Sequence, residues 1–364
     1  MMKMEHEMKI IDGHVHLVQC IAGTGAGGEL RFAGNGMAEY ASGERFRMLP
    51  DEFSQGVVTA GDILRKMDEN GVEKAVPLQG NYFGFQNLYS YEAMQKYPDR
   101  FIDTGIAEQD AVGVSAGLAD DGNIPFIIGM MPFMSMRALE QVRTDVCYPN
   151  LPVRIIANYA GLTGNGGSTH YAMEDMALYS SLVNMTVCAA SDPVQLRQII
   201  EKSLYYEGPL SIRIDPGKEN RVLYTAEDRF EIGKGHLARD GKDITIIACG
   251  EMVSYALQLH DKAKKAGIGM RVIDMFTVKP LDEEIVRKAA EETGRIIVWE
   301  DHLMKNGLAS AVADLLCDNG IALKSFKRFG IPQVYPGFGS AEDLYHLYGY
   351  DPEAVWEYVS KLLG

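Results

Sequence analysis

Apolar runs that alternate with helix-spaced stretches decide most of what this chain can fold into. Ile244-Thr-Ile-Ile-Ala-Cys249, Arg271-Val-Ile-Asp-Met-Phe276 and Arg295-Ile-Ile-Val-Trp299 are too uniformly apolar for strands with one wet face. Residues 253–266 and 282–292 between them carry the spacing of amphipathic helices. Strands buried on both faces and joined by helices make a parallel sheet covered on both sides, so an α/β fold of doubly wound sheets is expected.

The same rhythm extends upstream. Strands are predicted at 125–130, 153–158, 185–190 and 210–214, with helices at 109–118, 136–146 and 194–206. Further back, residues 60–70 have helical spacing with Gly71 placed as the C-terminal stop, and 73–78 reads as a strand that Pro77 confines to a sheet edge. A helix at 89–97 must end before Pro98. Residues 8–18 form a short strand whose alternation places Asp12, His14 and His16 on one face. The Gly-rich stretch at 22–36 breaks any regular pattern, which predicts an irregular N-terminal extension. Ser340-Ala-Glu-Asp343 is a helix-start box for a terminal helical segment.

Composition narrows the function classes. A chain of 364 residues that is 46% apolar and 23% charged is globular rather than disordered. Acidic residues outnumber basic ones by 50 to 35, a formal charge of −15, which argues against nucleic acid as a partner. No stretch approaches the roughly 18 apolar residues of a membrane span, so a cytoplasmic protein is expected. Cys20, Cys147, Cys188, Cys249 and Cys317 form no CxxC pair and read as free thiols buried in a reducing compartment.

The most informative segment is Phe101-Ile-Asp-Thr-Gly-Ile-Ala-Glu-Gln-Asp110, followed by Val112-Gly-Val-Ser-Ala-Gly-Leu118. It puts Glu108 after a strand and at the start of a helix of small residues. Taken alone, a carboxylate there reads as a favourable N-terminal helix charge. Phe133 alone reads equally as core, and His170, in the Gly-rich segment Gly164-Asn-Gly-Gly-Ser-Thr-His-Tyr171, as a solvated loop residue.

Together these segments resemble the transketolase family. The likeness continues through Arg137-Ala138, Glu140-Gln141-Val142-Arg143, Pro152-Val153, Ala160-Gly161, Thr169-His170, Glu174-Asp175, Asn184-Met185-Thr186-Val187 and Gly208-Pro209. From Asp243 to Gly337 it passes to that family's C-terminal domain, through Thr245 to Val253, Val272 to Asp282 and Trp299-Glu-Asp-His302. The resemblance implies a thiamine diphosphate enzyme in which Glu108 hydrogen-bonds N1′ of the aminopyrimidine, Phe133 stacks on that ring, Arg137 belongs to the cofactor site and His170 faces the substrate. Tyr171 and Tyr179-Ser180 depart from the family pattern, and Glu300, Asp301 and His302 read as an interface or sheet-end cluster.

The family's diphosphate domain carries Gly-Asp-Gly followed by a downstream Asn, and no such pair occurs here. A separate N-terminal subunit is therefore expected to supply the diphosphate site and most of the ligands to Mg2+ or Ca2+. The expected assembly is a homodimer or heterotetramer acting on a sugar phosphate. Deoxyxylulose phosphate synthase and the β subunit of a 2-oxoacid dehydrogenase share this architecture. The alternative is a catalytically silent interaction subunit.

Ile11-Asp-Gly-His-Val-His-Leu17 resembles the first barrel strand of metal-dependent amidohydrolases, where two such histidines ligate a metal, making His14 and His16 candidate ligands for a hydrolase or decarboxylase fragment. That likeness runs through residues 67–81 to 97–101, short of the roughly 250 residues of a full barrel. A chimaeric junction is expected near 98–103. The expected domains are an amidohydrolase-like extension at 1–58, a pyrimidine-binding domain at 59–222 whose residues 59–102 are foreign in origin, and a C-terminal domain at 223–364.

Overall fold

The computed structural model describes residues 10–15, 17–25, 28–77, 86–99, 104, 106–163, 167–214 and 222–364. The chain forms two compact units, Met1–Ile128 and Gly129–Gly364.

In the first unit β1 (Ile10–Val15) is followed by a four-stranded antiparallel sheet of β2 (Ala22–Gly25), β3 (Gly28–Phe32), β4 (Met37–Tyr40) and β5 (Arg45–Arg47). This corrects the expected irregular extension. The glycines turn the chain rather than dissolve it: Gly36 sits at φ 71, where a Cβ would meet the Leu49 carbonyl oxygen at 2.5 Å. Val18, Ile21, Leu30, Ala38, Leu49 and Val58 make a small core of their own.

Helix α1 (Ala60–Asn70) starts at a capping box between Thr59 and Asp62 and stops at Gly71, φ 69, as predicted. It buries Met67 against Ala75 of β6 (Val72–Pro77), which pairs in parallel with β1. β6 ends the sheet order, the edge position that Pro77 requires. α2 (Gln86–Lys96) ends before Pro98, and α3 (Glu108–Asp120) leads to β7 (Phe126–Met130), whose Phe126 lies opposite Asp12. Residues 100–103, expected to lead into the strand before Glu108, lie outside the described residues.

The second unit begins with a helical segment that the periodicity predicts as a plain amphipathic helix. It is instead wound as a π turn at Phe133–Arg137, α4 (Leu139–Gln141) and a second π turn at Val142–Cys147. Its buried residues Met134, Ala138, Val142 and Val146 recur every fourth position. On a regular 3.6-residue helix that stripe would drift around the axis, and the wider π turns bring it back toward the core.

β8 (Arg154–Asn158), α5 (Asp175–Ser181), β9 (Thr186–Ala189), α6 (Pro193–Ser203) and β10 (Leu210–Arg213) follow. β10 pairs in parallel with both β8 and β9. β11 (His236–Arg239), β12 (Ile244–Ala248), α7 (Glu251–Lys265), β13 (Met270–Asp274), β14 (Thr277–Lys279), α8 (Glu283–Thr293), β15 (Arg295–Leu303), α9 (Leu308–Asp318), β16 (Ser325–Ile331), α10 (Ala341–Leu347) and α11 (Pro352–Leu363) complete the chain. They build a second sheet in the order β11-β13-β12-β15-β16, parallel except for its β11 edge. β14 leaves that sheet and pairs antiparallel with β9, which stitches the two sheets of the unit together.

The apolar runs at 244–249, 271–276 and 295–299 are fully buried central strands apart from the half-buried Arg295. Trp299 is sealed among them, its ring stacked on Tyr255 at 6.1 Å and its indole N–H donated to the Tyr350 carbonyl at 2.8 Å. All the cysteines are free; Cys147, Cys188 and Cys249 are buried, whereas Cys20 and Cys317 are exposed, against expectation. Burial pushes the Cys147 thiol up to about 11 and the Cys188 thiol to about 12, so neither is a nucleophile at neutral pH.

Candidate functional site

Glu108 is the first residue of α3, as the motif predicts. The residue before it, Ala107, caps the helix with no side-chain hydrogen bond, and Glu108 is half-buried. Behind it α3 packs through Val112, Ser115, Ala116 and Ala119, so the small residues let the helix seat closely, with Glu108 in its first turn.

Phe133, Arg137 and His170 come together in the second unit. Phe133 lies just beyond β7 and is half-buried. Its ring meets the His170 imidazole edge-on at 5.1 Å, and the Arg137 guanidinium lies 4.6 Å over the ring. An exposed cation thus covers one face of the ring. His170 ends a short 3-10 turn, Ser168–His170, with Thr169 Oγ1 3.0 Å from its Nδ1. The turn opens at Gly167, φ 80, where a Cβ would collide with the exposed Phe338 ring. Sequence spacing does not reveal Tyr159, the residue after β8. It stands at φ 63 and its ring is 6.4 Å from His170. These side chains gather beyond the carboxyl ends of β7 and β8, the end of a parallel sheet where α/β folds bind their ligands.

The Glu300, Asp301 and His302 cluster is of a different kind. All three are buried in β15. Glu300 accepts from the backbone N–H of Leu308 at 2.7 Å and of Ala309 at 2.9 Å, capping α9. Asp301 accepts from Leu162 N at 2.9 Å, Tyr345 Oη at 2.9 Å and Tyr350 Oη at 3.0 Å. His302 Nε2 accepts from Ala177 N at 3.3 Å, which puts its proton on Nδ1, 2.8 Å from the Leu303 carbonyl. Burial pushes His302 below and Glu300 above their ordinary values, so the 3.9 Å separation between them is not an ion pair. Close by, buried Arg213 and Asp175 pair at 2.9 Å, and Arg213 donates to the Asp301 carbonyl at 3.1 Å. The cluster is structural.

The family departures also resolve into packing. Tyr171 is buried in the core that includes Ile244, Trp299 and Tyr345, and Tyr179 is 1% exposed. His16 and the His14 side chain lie outside the described residues, among which no group of three or more ligating side chains could hold a metal ion. Among the described residues no helix is long and apolar enough to cross a membrane.

Comparison with known proteins agrees with this architecture. The transketolase pyrimidine binding domain profile matches residues 38–218, and the transketolase C-terminal domain profile matches 233–355. The putative transketolase C-terminal section of Methanocaldococcus jannaschii is 39% identical over 264 residues, covering 72% of this chain and 82% of that protein. An apulose-4-phosphate transketolase subunit of Phocaeicola vulgatus is 36% identical, covering 72% of this chain and 83% of that protein. A split gene transketolase, solved as an inactive β4 tetramer, superposes with a TM-score of 0.68 at 34% identity, covering 84% of this chain and 96% of that one. Matched across both domains, the chain belongs to the transketolase family, in the form that carries the pyrimidine-binding and C-terminal domains.

Proposed function

We propose that this chain is one subunit of a two-subunit, thiamine diphosphate-dependent transketolase that moves a ketol unit between sugar phosphates. The observation that carries the reading is the convergence of half-buried Phe133 and His170 with exposed Arg137 beyond the parallel strand ends. The residues fit an aminopyrimidine and a polyhydroxyl chain. One face of Phe133 is covered by a cation, and the His170 imidazole meets its ring edge-on.

When bound, thiamine diphosphate supplies the electron sink that lets a carbon–carbon bond beside a ketone break. Glu108 holds a proton at N1′ of the aminopyrimidine. Phe133 fixes the plane of that ring, and Arg137 keeps Phe133 in place. His170 donates to or accepts from a substrate oxygen. A partner subunit with the diphosphate domain holds Mg2+ or Ca2+ and completes the site, this chain assembling as a homodimer or within a heterotetramer. In this reading residues 59–222 form the pyrimidine-binding domain, with a junction near 98–103, and 223–364 the C-terminal domain.

The test is reconstitution of the chain with a diphosphate-domain subunit, thiamine diphosphate and Mg2+. Ketose phosphate turnover is expected, with His170→Ala lowering kcat/KM by about 10²-fold at unchanged Tm. Absence of turnover on every ketose phosphate and 2-oxoacid tried overturns the reading. Assembly without cofactor uptake, measured by calorimetry, instead identifies a silent interaction subunit.

A further inference from the structure

We infer that Phe338, on the loop between β16 and α10, is a positioning residue for His170: its ring bears on Gly167 and holds the turn that presents the imidazole to the substrate. The role toward the substrate rests on the functional reading above, whereas the contact itself does not.

The segment that carries His170 runs from β8 to α5 and is fastened at both ends. Leu162 and Tyr171 are buried in the core that holds Ile244 of β12, Val272 of β13 and Trp299 of β15. Between those anchors Ser168 and Thr169 are exposed and His170 is half-buried, yet Gly167 is buried. Phe338 lies against it. The Cζ, Cε1 and Cε2 atoms of that ring are the nearest to the place a Gly167 Cβ would take, with Cε2 at 2.8 Å and Cε1 at 2.9 Å. Gly167 therefore has two reasons to be glycine, its φ of 80 and the ring beside it. His170 is tied directly to this residue, because its N–H is donated to the Gly167 carbonyl at 2.8 Å and closes the turn.

The ring is held in its turn from the other side. Gly337 and Gly339 flank Phe338, and Ser340 then caps α10, accepting from Asp343 N at 3.2 Å. α10 buries Leu344 and Tyr345 in the same core, and Gly339 passes so near Leu344 that a Cβ there would stand 3.3 Å from its side chain. Phe338 itself stays 80% exposed, so it adds little apolar burial to the stability of the fold. A lone exposed ring is ordinary on a protein surface. This one touches the backbone three residues before His170, which makes it a restraint on the turn rather than on the core. Releasing the turn lowers the fraction of molecules whose imidazole is in place, and apparent substrate affinity falls with that fraction.

Phe338→Ala tests this in two ways. In the full chain, hydrogen exchange at the His170 amide should quicken about tenfold while Tm is nearly unchanged. In the complex reconstituted with the diphosphate-domain subunit, thiamine diphosphate and Mg2+, KM for D-fructose 6-phosphate should rise about tenfold with kcat within a few-fold of wild type. Phe338→Tyr keeps the ring and should restore both readings. In a His170→Ala background Phe338→Ala should raise KM no further, because the ring acts through the imidazole. Unchanged exchange, or an equal rise in KM with and without His170, overturns the inference. A wild-type complex inactive on every ketose phosphate brings down the functional reading, and exchange measured on the chain alone then decides whether Phe338 holds the turn.

Discussion

Two groups of polar and aromatic side chains lie in the second unit, and they differ in how completely the protein satisfies them. Around Asp301 every oxygen that matters has a donor from the chain itself: Leu162 N, Tyr345 Oη and Tyr350 Oη. Around His170 the contacts include aromatic edges, a cation over the Phe133 ring and the adjacent Thr169 hydroxyl, and the imidazole itself is only half-buried. A histidine and carboxylates on one strand resemble a catalytic cluster in sequence, yet burial and full pairing make Glu300, Asp301 and His302 a clamp. Groups left partly exposed at the strand ends are the ones able to act on a ligand. The same chemistry reads oppositely depending on whether the fold has already used it.

The sharpest way to test that distinction is Glu108→Gln in the reconstituted enzyme. Gln keeps the shape and an acceptor at the start of α3 but removes the titratable proton. If Glu108 belongs with the acting groups, turnover should fall about 10²-fold to 10⁴-fold, with assembly and Tm nearly unchanged. Intact turnover would displace the cofactor from Glu108, and an unfolded variant would move Glu108 into the structural class.

Asp301→Ala addresses the opposite side of the comparison. It strands the donors of Leu162, Tyr345 and Tyr350 in a dry interior, where each costs about 1–3 kcal/mol, non-additively. A loss of about 3–5 kcal/mol in unfolding free energy is expected. The carboxylate also fills the space beside Gly161, held at φ 61, where any Cβ would overlap it. Residual activity per folded molecule should stay within a few-fold of wild type. A large loss of activity with stability unchanged would mean that the clamp reaches the chemistry.

Much of this was legible in the sequence, and the reasons differ by element. The strands at 244–249, 271–276 and 295–299 announced themselves because doubly buried strands tolerate almost no polar residue. The place of Glu108 at the start of α3 was legible because a short local motif fixes the helix start. The approach of Phe133 to His170 was not, since the contact joins residues far apart in sequence and no local pattern encodes it. The π turns at Phe133–Arg137 and Val142–Cys147 were hidden for a subtler reason. A four-residue apolar spacing looks like an imperfect α-helix until the backbone shows how it adjusts. The antiparallel sheet of β2 to β5 was missed because glycine marks turns and disorder alike.

Asp274 gives the smallest and most quantitative test, since it stands between the two classes. It is fully buried on β13, and its Oδ2 accepts from Tyr224 Oη and from Gln195 Nε2, each at 2.8 Å, while Oδ1 is unpaired among the described residues. Gln195 is itself anchored through its N–H to Asp192, the N-cap of α6, and Asp192 also accepts from Leu223 N and Tyr224 N. Burial raises the Asp274 carboxyl from 3.8 to about 7, against the lowering effect of its hydrogen bonds, with the Asp192 charge adding to the rise. In the unfolded chain it ionises near its ordinary value, whereas the folded protein keeps the proton. Stability is therefore lost as pH rises from about 4 to 7 and is level above that. Asp274→Asn resembles the protonated acid and does not titrate in either state. Its Tm should match wild type near pH 4, exceed it by a growing margin up to pH 7 and by a constant few degrees beyond. A variant less stable than wild type at pH 8 would show that Asp274 is held ionised by its Gln195 and Tyr224 hydrogen bonds.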